Sequence, residues 1–75
     1  MNMKVSPLIE SVFKTARNES SPSLAMKGYL KATSRAAEQS EPGNEYSHLL
    51  SQAVAMLDNG VKPGLVAAEM RKLGH

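Results

Sequence analysis

The stretch YSHLLSQAVAMLDNGVKPGLVAAEMRKL, residues 46–73, decides the fold. Tyr46, Leu49, Leu50, Ala53, Val54 and Leu57 recur at the three- and four-residue spacing of one helix face. Gly60 follows at once, where a left-handed residue closes a helix without a Cβ penalty. Pro63 stands where a first helical residue belongs, because the N–H it lacks has no intrahelical partner there. Leu65, Val66, Met70 and Leu73 continue as a second apolar stripe. The segment predicts a helical hairpin with a tight joint at Asp58-Asn59-Gly60-Val61-Lys62-Pro63.

Upstream, one capping device occurs twice. Ser6-Pro7 and Ser21-Pro22 each place a hydroxyl at an N-cap and a proline at the first helical position. Leu8, Ile9, Val12, Phe13 and Ala16 share a face after the first, and Glu10 precedes Lys14 by four residues, the order that favours a surface ion pair. Asn18-Glu19-Ser20-Ser21 carries little apolar character and ends that helix. The next helix mixes large residues (Leu24, Met26, Tyr29, Leu30) with small ones at spacing four (Gly28, Ala32, Ala36). Such a row either admits another helix backbone closely or marks a weak helix that tolerates its glycine, which costs about 1 kcal/mol relative to alanine. Ser40-Glu41-Pro42-Gly43-Asn44 is turn chemistry, with Asn44 as N-cap for a third helix and Glu45 near its positive end. Helices are expected at about 7–17, 22–39, 45–59 and 63–73. The fold class is all-α, a small bundle of four helices with short loops in a single domain over residues 1–75. Its contacts are local, so folding should be fast.

A 75-residue chain buries only roughly 60% of the surface its unfolded form exposes, so stability is marginal without help. There is no cysteine, hence no disulfide and no thiolate ligand or nucleophile. Help must come from packing, self-association or a partner. Met1-Asn2-Met3-Lys4-Val5 lacks the apolar run of a signal peptide, and no stretch approaches the roughly 20 apolar residues of a membrane span. A cytoplasmic protein is the expectation. The net charge of +2 demands no polyanionic partner, but it is unevenly spread. Lys4, Lys14, Arg17, Lys27, Lys31 and Arg35 face only Glu10 and Glu19 in the first half. Lys62, Arg71 and Lys72 are outnumbered by Glu38, Glu41, Glu45, Asp58 and Glu69 in the second. The charges form solvated helix faces, or else make copies complementary head to tail, or prepare the basic half for an acidic surface.

Chemistry is sparse. The histidines are His48, beside the third helix's apolar stripe, and His75 at the end. Glu45 and His48 have the Glu-x-x-His spacing of di-iron bundles, but no second pair completes a metal site. The glycines are scattered punctuation rather than a phosphate loop, and the serines sit at caps and loops with no histidine–carboxylate constellation around them. No enzymatic activity, cofactor or metal is expected.

The hairpin over residues 46–73 also compares with a DNA-reading helix-turn-helix, for which Gly60, Val61 and Val66 fit while Met56 and Glu69 do not. On that reading Lys62, Arg71 and Lys72 would meet the nucleic acid, although base contact normally uses the start of the second helix. The run Leu57, Gly60-Val61-x-Pro63, Val66-Ala67, Met70-Arg71-x-Leu73 resembles the second half of the MOZART family of mitotic-spindle organising proteins. These are small helical adaptors that bind helical extensions of the γ-tubulin complex. The resemblance covers roughly a third of the chain and implies a binding adaptor. Gly64 replaces the acidic residue that tends to follow the family's proline, and the first half carries no match, so the chain is not assigned to the family.

By elimination, the chain reads as a small helical protein–protein interaction module, an accessory or regulatory protein that binds itself, most simply as a homodimer, or a larger partner. Small proteins of this kind are common in phage and mobile-element genomes. Five methionines supply adaptable side chains, with Met56 and Met70 read as core filler. Met26, Tyr29 and Leu30 span too wide an arc for one seam, so they are the candidate partner-binding residues, and Tyr29 or Leu30 is expected at the surface.

Overall fold

A computed structural model describes residues 5–72, and of Ser6 the backbone alone. Four helices and no strand occur among the described residues: α1 (Ser6–Ala16), α2 (Pro22–Ser40), α3 (Glu45–Asp58) and α4 (Pro63–Lys72). The protein is an all-α bundle of four helices. Among the described residues no helix is long and apolar enough to cross a membrane. Leu73, expected to close the last stripe, and His75 lie outside the described residues.

α1 begins one residue earlier than its sequence suggests. Val5 occupies the N-cap position, is fully buried, and its carbonyl accepts from the Ile9 N–H at 3.0 Å. A core anchor therefore starts this helix; the expected Ser6 cap is a side-chain role outside the described atoms. At the second serine–proline pair, Ser21 is the N-cap residue of α2 and Pro22 follows it, yet the Ser21 hydroxyl makes no capping bond. The preset φ of proline does the work there.

The α2–α3 turn is pinned by side chains. Asn44 Oδ1 accepts from the Ser47 N–H at 2.6 Å, while its Nδ2 donates to the carbonyls of Ala37 (2.8 Å) and Glu41 (2.9 Å). Gly43 has φ +76°, and its N–H donates to Oε1 of Glu38 at 2.9 Å. At the other joint Gly60 has φ +87°. Its N–H donates to the Leu57 carbonyl (3.1 Å) and the Val61 N–H to that of Met56 (3.0 Å). These two bonds form a complete Schellman motif, and Val61 and Met56, both half-buried, pack against the core beside it.

Antiparallel pairs α2–α3 and α1–α4 close on one core. Its largest fully buried side chains include Ile9, Met26, Leu30, Leu50 and Met70, one or two from every helix. Across α1 and α4, Arg71 donates to Glu10, and among the described residues Lys14 has no carboxylate within 4.0 Å. Arg71, Glu10 and Lys14 all line the α1–α4 groove, and the ion pair formed there is the one that bridges two helices. Leu65 departs from its expected stripe and is 57% exposed. Val66, Ala67 and Met70 define the inner face of α4 instead, and Leu65 lies about 100° from Val66 around the helix.

Candidate interaction surface

α2 presents two apolar arcs, and the core takes one of them. Met26 and Leu30 are fully buried against the bundle. Tyr29, about 100° from Leu30, remains 46% exposed and meets Ser11, Val12 and Thr15 of α1 around a shallow depression. Of the three sequence candidates, surface contact thus falls to Tyr29. On the outward side Leu24 is 63% exposed, with exposed Gly28, Ala32 and Ala36 beyond it. A Cβ built on Gly28 meets nothing within 4 Å, so the row of small residues receives no helix of its own chain.

Beside this face runs a polar seam that sequence reasoning missed. Ser47, 5% exposed, donates from Oγ to Oε2 of Glu38 at 2.9 Å. Its carbonyl accepts from the Ser34 hydroxyl at 3.1 Å, and Ser34 and Ser51 hydroxyls lie 3.2 Å apart. Among the described residues no buried side-chain nitrogen or oxygen lacks a partner. The available signal was spacing: Ser47 and Ser51 are four apart, as are Ser34 and Glu38, so each pair shares a helix face. Further along, Lys27 Nζ lies 2.9 Å from Asp58 Oδ1. That hydrogen bond, with the positive charges of Lys27 and Lys31, holds the Asp58 carboxyl below its ordinary pKa against a smaller opposing effect of burial. Burial alone raises the Tyr46 phenol.

No family model matches the chain, and neither a curated protein nor a solved structure is significantly similar to it. The surface must be read from its own chemistry.

The residues of the nucleic-acid alternative do not form one cationic face. Arg71 is engaged by Glu10, and Lys62 and Lys72 stand at opposite ends of α4. The exposed positions between them include Leu65, Ala68 and Glu69. A phosphate backbone asks for clustered, unengaged cations. His48 is exposed, with Nε2 3.3 Å from Nε2 of Gln52. Among the described residues no three His, Cys, Asp or Glu side chains gather where a metal ion would sit.

Proposed function

We propose that this protein is a small helical interaction module, an accessory or regulatory protein that works by binding a second copy of itself or a larger protein through the outward face of α2. One observation carries the reading: the folded bundle still exposes Leu24 and Tyr29 on a helix whose exposed positions between them around its axis include the small, uncharged Gly28, Ala32 and Ala36. Small residues let a facing backbone approach, and a partly exposed aromatic side chain brings large contact area at low entropic cost. The cations Lys31 and Arg35 border this strip on its α3 side, giving an apolar centre a polar rim, the usual anatomy of a protein interface.

The test is a pair of truncations one residue apart. Leu30→Ala should cost about 2–5 kcal/mol of folding stability, because Leu30 is wholly buried. Tyr29→Ala should cost clearly less folding stability than Leu30→Ala, because nearly half of Tyr29 is exposed, and should weaken association through this face by more than about 1 kcal/mol. Sedimentation measures self-association, and a pull-down followed by titration measures association with a larger partner. If Tyr29→Ala lowers stability as Leu30→Ala does while association persists, the outer face of α2 is not the contact.

A further inference from the structure

An open groove of about 520 Å³ runs between α2 and α3. Lys31 and Arg35, one turn apart on α2 and both exposed, stand on its rim. Among the described residues neither has a carboxylate within 4.0 Å; Lys31 is close enough to influence Asp58, but that carboxylate is held by Lys27. The floor is chemically specific. Ser34 gives its one hydroxyl proton to the Ser47 carbonyl, so in its contact with Ser51 it must accept. Both protons are then spent, and what the floor offers is acceptor lone pairs beside the apolar Val54. Glu38 lies at the far end, both of its oxygens engaged. The groove therefore suits an occupant with negative groups for Lys31 and Arg35, N–H donors for the serines, and no negative group near Glu38.

The α2–α3 turn has that chemistry. Glu41 and Glu45 are exposed, and among the described residues neither has a cation within 4.0 Å. α3 opens with the N–H groups of Glu45 and Tyr46, which have no acceptor inside the helix. Asn44, Glu38 and Gly43 fix the turn before any contact forms, so little conformational freedom remains to be lost on binding. A chain cannot place this turn in its own groove. From Arg35 and Lys31 to the end of α2 at Ser40 is roughly 8 and 14 Å along the axis, at 1.5 Å per residue.

We propose that the groove of one copy receives the acidic turn of a second copy, in a two-fold symmetric dimer. Groove and turn are neighbours on one end of the α2–α3 pair, so a single two-fold axis forms both contacts at once and closes the assembly. The engaged Glu38 sets the direction by repelling carboxylates at its end. This inference rests on the reading of the chain as an interaction module; it gives self-association to the groove and the turn and leaves the outward face of α2 to a larger partner.

Charge reversal tests it. Sedimentation of the intact chain at micromolar concentration should give a dimer that weakens as salt rises. Lys31→Glu with Arg35→Glu, and separately Glu41→Lys with Glu45→Lys, should each weaken the dimer by about tenfold or more through facing like charges. Mixing the two reversed proteins should restore a heterodimer of the original mass. Single Arg35→Gln and Glu41→Gln variants, which disturb folding least, should each weaken association in the same direction. A monomeric parent overturns the inference but leaves the module reading to a heterologous partner and the Tyr29→Ala test. Reversed variants that dimerise like the parent, or a mixture that fails to restore association, overturn the groove-and-turn contact and leave self-association to another face.

Discussion

One substitution, glycine to alanine, should have opposite signs at two places in this chain. At Gly28, inside α2, the added methyl meets nothing within 4 Å. Alanine there removes unfolded-state freedom and the helix penalty of glycine without steric cost, so Gly28→Ala should stabilise by about 0.4–1 kcal/mol. At Gly60 the space is equally open, but φ is +87°. An L-residue held in the left-handed region loses roughly 1–2 kcal/mol, and relaxing φ would break the bonds from Gly60 to Leu57 and from Val61 to Met56. The two variants should therefore differ by about 2 kcal/mol, and a domain of this size shifts its melting point by roughly 4–8 °C per kcal/mol. Melting points on either side of the parent and roughly 10 °C or more apart are expected. Urea unfolding of dilute protein should show midpoints moving in opposite directions with unchanged slope. If Gly60→Ala melts like the parent, the left-handed cap is wrong. If Gly28→Ala is neutral or destabilising in dilute protein, its Cβ site is not open. Should Gly28→Ala instead stabilise the monomer while weakening association at high concentration, the outer face of α2 is the contact.

The turn and the ion pair give two further expectations. Asn44→Ala removes the cap on the Ser47 N–H and the bonds to the carbonyls of Ala37 in α2 and Glu41 in the turn, so it should lower stability by about 1–2 kcal/mol in urea unfolding; Asn44→Asp, which keeps the acceptor, should recover part of that loss. Asp58 has a folded-state pKa below its ordinary 3.8, so its pairing contributes stability above that value and loses it as pH falls through the lower, folded one. Stability measured from neutral to acidic pH should therefore fall less steeply in Asp58→Asn than in the parent, and an identical slope would mean that Lys27 and Asp58 do not pair in solution.

Elements were legible in the sequence; orientation was legible only where a single stripe existed. α3 shows why. Leu49, Leu50, Ala53, Val54 and Leu57 leave one possible inward face, and all are buried. α2 has two apolar arcs, and periodicity alone cannot say which turns inward. Met26 and Leu30 win because Thr33, Ser34 and Ala37, half-buried, continue their side of the helix toward α3, whereas Gly28, Ala32 and Ala36 continue the other side. Leu65 failed for a related reason: beside Val66 it looks like stripe, but Ala67 and Met70 fix the face from which it is rotated.

The seam of Ser34, Glu38, Ser47 and Ser51 was illegible for a deeper reason. Serine is expected at caps and turns, and nothing in its identity distinguishes a cap from a buried contact. Yet this seam makes a distinction the apolar residues do not. Burial of Leu30, Leu50 and Leu57 is favourable in proportion to area and has no direction, so α2 and α3 slid by one turn would still hide much of the same surface. Turned about its own axis, α3 would take the Ser47 hydroxyl from Glu38 and leave a buried polar group without a partner. Hydrogen bonds thus fix the rotation of α3 that the core only permits, while the Asn44 turn fixes how far it slides. Because the same arrangement places Lys31 and Arg35 over a floor of acceptors, the groove is a consequence of the seam, and replacing Ser47 should disturb both together.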